Sequence, residues 1–338
     1  ATAHALARTT EARVTLLERE AAFGQHASGK NAALCRQLIE HDEYTAFTVR
    51  GAQFLRKPPA DFADTPLLLP TGSLLAVSSP KSLDTLLARA RAFGLPCGAL
   101  SAPEVLERWP RLAGMPLCGA AHFPTDGVID IHALLHGYVR GARRDGAILR
   151  TDCGVTRVTR GDSGFEIDAG GETWRARVLV NAAGAWGVAV GELAAAMRQR
   201  LTPMRRHLFA TDHTKDVAND TPYVWHVDEP FYVRPESGGL LLSGCDEVEH
   251  PPSAVAVAAD AHDALAARLA QVAPLLLDVP VKRSWACLRT FLPDRLPRVA
   301  WDERVRGLLW VVGLGGQGAT ASFAIGERAA LAVRAFFA

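Results

Sequence analysis

No sign of charge dominates this 338-residue chain: 37 Lys and Arg stand against 36 Asp and Glu, a net charge of +1. No basic stripe stands out, so nothing points to nucleic acid or an anionic membrane as partner. Long apolar runs are missing too. The longest, Val178 to Met197, is interrupted by Asn181, Gly184, Gly187, Gly191 and Glu192, which excludes it as a transmembrane segment. Cysteine is sparse. Cys35, Cys97, Cys118, Cys153, Cys245 and Cys287 are scattered, with no Cys-x-x-Cys and no metal-ligand spacing. Reduced thiols are expected, with no metal centre. No charged segment followed by an apolar run opens the chain, so no secretory signal is expected and a cytoplasmic location is. Internal repeats and low-complexity tracts are absent. What remains, 49% apolar and 22% charged residues, is the composition of a globular protein. The length allows two domains, or one with a large insertion. Arginine supplies 32 of the 37 basic residues, which reads more readily as compositional bias than as function.

The pattern along the chain predicts a nucleotide-type βα arrangement at both ends with β-rich material between. Ala1 to Arg8 reads as the back half of a helix, since it has no cap and no preceding turn. Arg13 to Leu17 is an apolar, β-branched strand that ends at Glu18. A helix feeding a strand that ends in an acid is the second half of a βαβ unit. Its first strand and Gly-rich turn are expected just before Ala1. A polar turn spans 23–31. A Pro-rich linker around Pro58-Pro59, a strand from Ser73 to Ser78 and an amphipathic helix from Pro80 to Phe93 follow. Another helix covers 132–143, and strands are expected at 155–160, 165–168 and 173–180. Residues 201–250 alternate apolar and polar positions, as antiparallel strands do. A helix is expected over 254–273, a strand over 307–312, and a long helix to Phe337.

Three segments carry the chemistry. Glu18 stands where dinucleotide folds place an acid on the adenosine ribose, although a surface Glu after a strand would look the same. Val178 to Trp186 is a buried strand running into small residues that let backbone approach a ligand closely; Gly-rich packing alone is the other reading. Gly313 to Gly318 places four glycines in six residues ahead of a helix. That arrangement offers free N–H groups and a positive helix end to an anion. A reduced flavin suits it, and so does a phosphate.

Together these segments resemble the superfamily of FAD-dependent D-amino-acid oxidases and glycine oxidases. The resemblance runs over essentially the whole chain. It rests on Val14–Glu20, Ala27–Asn31, Thr125–Asp130, Val180–Trp186, Leu288–Asp294 and Gly313–Gly318, in that order. Pro58–Phe62, Asp228–Tyr232 and Ser284–Arg289 are similar to bacterial D-arginine dehydrogenase-like enzymes. The resemblance implies a mixed α/β plus α+β fold. A Rossmann-like FAD-binding domain (1–35, 130–200 and 290–338) would carry a discontinuous substrate domain (36–129 and 201–289) built on an antiparallel sheet. It implies that Glu18 and Arg19 meet the adenosine, that Ser28 and Lys30, beside Asn31, meet the pyrophosphate, and that Val155 meets the adenine through its backbone. Ala182, Ala183, Gly184 and Trp186 would line the cofactor. Gly313, Gly315, Gly316, Gln317, Gly318, Ala319 and Thr320 would face the flavin ring, with Gly316 at the reacting centre.

The implied reaction is hydride transfer from the α-carbon of an amine or D-amino acid to flavin N5, giving an imine that water hydrolyses. A bidentate Arg best fixes the substrate carboxylate. Arg289 holds the family position for it and Tyr232 would add a hydroxyl. Arg206 is a second cationic candidate, or an ordinary surface ion pair. No strong base is needed, because the neutral amine supplies its lone pair and the cofactor carries the chemistry.

The chain departs from the D-arginine dehydrogenase pattern. Leu34 and Ile39 replace a His and a Tyr over the flavin, and Ser73 replaces a Glu suited to a guanidinium. Glu229 matches an acidic family position. Neutral or apolar D-amino acids, or small secondary amines, therefore fit better than a cationic substrate. Cys287 lies seven residues before Asp294, a spacing at which sarcosine oxidases carry covalent flavin; a buried, inert thiol is the other reading. Two further readings stay open: a non-catalytic chain that does not retain FAD, and a flavoenzyme acting on a 2-hydroxy acid. The electron acceptor is not specified.

Overall fold

The computed structural model describes residues 1–214 and 217–338. Two bodies of sheet organise it. In the first, β1 (Thr15–Leu17) pairs in parallel with β8 (Ile148–Arg150). A second small sheet has β20 (Leu308–Val312) at its centre, parallel to β12 (Leu179–Asn181) and antiparallel to β19 (Arg298–Trp301). Among the described residues these two sheets are not hydrogen-bonded to each other, so β1 and β12 are each paired on one side only. All five residues of β20 are buried, as a strand covered on both faces requires. Leu309 and Val311 pack under helices α1 (Thr2–Thr9) and α8 (Gly318–Phe337). Leu308, Trp310 and Val312 pack against a three-stranded layer, β9 (Val155–Gly161), β10 (Gly164–Ala169) and β11 (Glu172–Ala176). This is the Rossmann-like half that the sequence predicts.

The second body is a nine-stranded sheet. Its spine pairs β13 (Thr202–Thr211) with β18 (Val281–Phe291) along their whole length. On the other side of β13 lie β17 (Val248–Glu249) and β16 (Gly239–Ser243). The sheet continues through β15 (Phe231–Glu236), β14 (Tyr223–His226), β4 (Ser73–Val77), β6 (Gly119–Phe123) and β5 (Gly98–Ser101). It is mixed rather than purely antiparallel, because β4 and β14 run in parallel. One face packs on α4 (Ala102–Arg108) and α7 (Ala261–Val272) through Phe209, Val224, Phe231 and Val233. The other face carries Leu208, Tyr232, Leu241 and Cys287. Near β4 that face is covered by α3 (Pro80–Ala92). A fourth small sheet, β2 (Leu34–Cys35), β7 (Gly127–Ile129) and β3 (Leu68–Leu69), joins the two bodies. Helices α2 (Asp42–Arg56), α5 (Ile131–Arg144) and α6 (Gly187–Leu193) complete the chain.

Two expected elements are different. The single strand over 173–180 is β11 and β12, because the chain leaves one sheet at Ala176 and enters another at Leu179. The helix over 254–273 begins only at Ala261. Ahead of it the Ala258 amide donates to His207 Nε2 at 3.1 Å, and Val255 is buried against Ala286 and Leu288. Tertiary contacts there override a composition that favours helix. Residues Gly239–Ser243 do not alternate at all; every one is buried, since both faces of the sheet are covered.

Candidate functional site

The predicted cofactor residues fall into two groups linked by one loop. At one end, Glu18 directly follows β1, its amide donating to Arg150 O at 2.8 Å and its carboxylate accepting from the Glu20 amide at 2.9 Å. The Cys153 amide donates to the Glu18 carbonyl, bringing Val155 at the start of β9 alongside. The Arg19 guanidinium lies 4.2 Å over the Trp186 ring, and His26 packs on the same ring. Glu20 binds both Arg19 and His26, which hold its carboxyl below the usual range. Glu18, Arg19, Val155 and Trp186, far apart in sequence, are thus neighbours.

The loop then runs through exposed Ser28 to the nine-stranded sheet. Asn31 pins it, donating to Ser28 O at 2.7 Å and accepting from the Ala33 amide at 2.7 Å. Trp285 Nε1 donates to Lys30 O at 3.1 Å. Ala32 is buried against Leu208, Tyr232 and Cys287. The residues before and after that face, Ala33 (φ +60°) and Cys245 (φ +57°), are non-glycine residues held in the left-handed region, a strain that concentrates at functional sites.

The second group sits where β18 meets the glycine loop. The Gly315 amide donates to Thr290 O, and a Cβ on Gly315 (φ +51°) would lie 2.5 Å from Phe291 Cε1. The loop can pass over β18 only with glycine there. Gly316 is exposed, with room for a Cβ 3.7 Å from the Arg289 guanidinium. Helix α8 starts at Gly318 behind Gln317, whose side chain forms no cap. The first N–H groups of the helix, at Gly318, Ala319 and Thr320, are therefore free to meet an anion. Tyr44 holds the loop by donating to Leu314 O at 2.7 Å, and Thr320 donates to Leu34 O at 3.3 Å.

Arg289 is the central observation. It is 9% exposed, and its one hydrogen bond among the described residues is a 3.4 Å contact from Nη2 to Tyr232 Oη. No carboxylate pairs with it among the described residues. Buried arginines are normally paired, and among the described residues this one is not. Tyr232 stacks on Trp225 (centroids 5.0 Å apart), and Arg36 lies 4.7 Å over the far ring. Arg206 shares this face, opposite Cys287 in register.

Other sequence expectations are corrected. Arg206 is not a surface pair: it is 5% exposed, and donates to Asp246 O at 2.6 Å and Glu247 at 2.8 Å. Glu229 does not reach this face. It pairs with Arg268 of α7, which covers the opposite side of the sheet. Ile39 is not beside Leu34 but in the core under α2 and α8, with Tyr44. Ser73 is buried and donates to a carboxylate that the sequence reading missed, Asp126. Asp126 accepts from the Gln37 amide and side chain as well. Burial pushes its carboxyl up to about 6. Its oxygens are used inside this network, so it does not restore a free partner for a cationic substrate. Arg36 and Trp225 had no sequence signal, because they meet only in the fold; Asp126 lay within the Thr125–Asp130 segment, without a role of its own.

The residues present fit an FAD. Ala182 and Gly184 are exposed, and a Cβ on Gly184 would meet nothing within 4 Å. That leaves a cradle at the nucleotide end, while the uncapped α8 terminus suits the pyrimidine side of a reduced flavin. A cavity of about 370 Å³ opens against Ser28, Asn31, Asp130 and Arg234. It does not touch Arg289 or Tyr232.

Comparison with known proteins agrees with this geometry. The family model described as FAD dependent oxidoreductase (DAO) matches residues 1–331. Glycine oxidase of Geobacillus kaustophilus is 27% identical over 227 residues, 66% of this chain and 58% of that protein. Human mitochondrial dimethylglycine dehydrogenase is 28% identical over 150 residues, 43% of this chain and 17% of that protein. The chain thus spans less than two thirds of these curated relatives. The solved structure of L-proline dehydrogenase from P. horikoshii superposes with a TM-score of 0.87 at 19% identity, covering 98% of this chain and 89% of that one.

Proposed function

Because the chain belongs to the DAO family of FAD-dependent oxidoreductases, we propose that it binds FAD along the seam between its two bodies and oxidises a small amine or α-amino acid. The observation that carries this is Arg289, buried beside Tyr232 and the exposed Gly316 without an anionic partner among the described residues. An α-amino acid carboxylate is the anion it fits, held bidentately by the guanidinium and steadied by the Tyr232 hydroxyl. That grip presents the α-carbon to the glycine loop. No strong base is required at this face, since the substrate amine reacts neutral.

Glu18, Arg19 and Val155 would take the adenosine, Ser28, Lys30 and Asn31 the pyrophosphate, and Ala182, Ala183, Gly184 and Trp186 the wall beside it. Gly313 and Gly315 to Thr320 would line the ring. Bound there, FAD supplies the two-electron acceptor for hydride leaving the substrate α-carbon. In this reading 1–35, 130–200 and 290–338 hold the cofactor, and 36–129 with 201–289 hold the substrate. Ser73, already committed to Asp126, argues against D-arginine as substrate. Among the described residues no helix is long and apolar enough to cross a membrane.

One observation favours a second reading. β1 and β12 are each paired on a single edge, which would weaken the nucleotide end of the site. Titration with FAD separates the two. Near-stoichiometric flavin binding, followed by anaerobic bleaching with amino acids or sarcosine, supports the enzyme. A chain that takes up no flavin supports the second reading. Bleaching by 2-hydroxy acids but by no amine would overturn the amine assignment.

A further inference from the structure

Arg36 is the most buried arginine of the described chain, 2% exposed. Its Nε donates to Leu38 O at 2.9 Å, and Nη2 meets Glu40 at 3.0 Å. Glu40 is itself 61% exposed, and the Arg36 charge holds its carboxyl below the usual carboxylate range. Nη1 is buried and has no hydrogen-bond partner among the described residues. The guanidinium carbon also lies 4.7 Å over the Trp225 ring. A residue of this burial normally satisfies every polar atom.

Its position gives the spare atom a meaning. Trp225 stacks on Tyr232, and Tyr232 Oη contacts Arg289. Arg36 and Arg289 are therefore the two ends of one aromatic wall. Arg206, diagonal to Arg289 across β13 and β18, has a buried, unpartnered Nη1 as well. Carboxylates do not balance this face. Glu247 serves Arg206 and Arg295 at once, and the Asp246 carboxylate is engaged by His207. Asp126 lies near Arg36 but is enclosed by Gln37 and Ser73. The thiol of Cys245 lies within the fields of Arg206, Arg289 and Arg36.

We propose that Arg36 is a specificity-determining residue, and that the substrate carries a second carboxylate, received by Arg36 while Arg289 and Tyr232 hold the first. The proposal rests on the amine-oxidation reading for the fate of the substrate, but not for its binding. The substrate class is an amino or imino dicarboxylate, and the corresponding side-chain amides are poor substitutes. A charge-assisted hydrogen bond to the second carboxylate predicts discrimination of about 10- to 100-fold.

The test is calorimetric titration of the purified protein with succinate and with succinamate, which has nearly the same shape but one charge fewer. Succinate should bind at least about tenfold tighter, and Arg36→Gln should erase the difference, with Arg36→Lys retaining part of it. Equal affinities, no binding of either, or a preference that survives Arg36→Gln would overturn the proposal. The comparison in the unmodified protein stands even where a variant fails to fold. Altered FAD affinity in Arg36→Gln with the preference intact would assign Arg36 to the cofactor instead, and overturn it too. A parallel anaerobic arm compares both enantiomers of aspartate and glutamate with their amides. Bleaching by amides as fast as by acids refutes the role of Arg36 and leaves amine oxidation standing. Succinate discrimination without bleaching by any amine leaves Arg36 standing and removes the oxidation reading.

Discussion

Replacing Arg289 by methionine should separate stability from function. Breaking a made, buried ion pair costs about 3–5 kcal/mol, but Arg289 has no such pair to break. The loss is one 3.4 Å contact with Tyr232, about 1 kcal/mol. Relief of a buried unpaired cation offsets it, and methionine fills similar volume. The net change should be within about 1 kcal/mol, a Tm shift of no more than about 4 °C. Function should fare differently. Two charge-assisted bonds to the substrate carboxylate, each worth about 1.5–3 kcal/mol, would go. Their loss lowers kcat/KM by about 100- to 10,000-fold. Differential scanning calorimetry with steady-state kinetics on the FAD-loaded protein checks both halves. A Tm drop of about 10 °C, or activity retained within about tenfold, would refute the view that Arg289 is a receptor rather than a strut.

Arg206→Met should behave in the opposite way. It breaks the buried Glu247 pair, although Arg295 still serves Glu247, and should cost about 3 kcal/mol in urea unfolding; a smaller cost than for Arg289→Met would contradict the pairing. In Gly51→Ala the new methyl would run into the Thr320 carbonyl where α2 crosses α8. Loss of about 3 kcal/mol and of flavin content is expected, and unchanged flavin content would detach that crossing from the cofactor site. Asp126 titrates near 6 when folded against 3.8 ordinarily, because burial favours its neutral form. Its contribution to stability is therefore greatest below pH 4 and falls as pH rises to about 6. His4, lowered by burial to about 4, gains stability as pH rises over the same window and masks this in the parent. The difference between Asp126→Asn and parent unfolding free energies should thus shift by roughly 2 kcal/mol between pH 4.5 and 7; a constant difference would remove Asp126 as the titrating group. Cys287 is buried among Leu208, Tyr232 and Ala32, and acid precipitation should leave all flavin in the supernatant, whereas flavin in the pellet would make it a covalent anchor.

Much of this arrangement was legible in the residues. The strand that ends at Glu18, the small residues after Val180 and the glycine loop before α8 follow from local patterns, because backbone approach and helix termini demand particular residue types. The place of Arg289 came from its motif. The partners of Ser73 and Tyr232 in the fold were not legible. Arg36 and Trp225 meet only because β2 ends beneath a sheet whose strands come from 73–123 and 202–291. Asp126 takes the place beside Ser73 from a turn 53 residues away. Glu229 and Ile39 lie outside the strands, in the turn between β14 and β15 and in the coil after β2, where Arg268 and the core around Tyr44 hold them away from the site. The helix over 254–273 was overestimated because the Ala258 amide donates to a distant histidine, His207, and the helix starts only after it.

Single-turnover product analysis tests the central claim most directly. FAD-loaded protein mixed anaerobically with its bleaching amino acid should release one 2-oxo acid and one ammonium, or one amine from a secondary substrate, for each flavin reduced. Flavin reduction without nitrogen release, or with a 2-hydroxy acid as the only competent donor, would contradict the assignment of this site to amine oxidation.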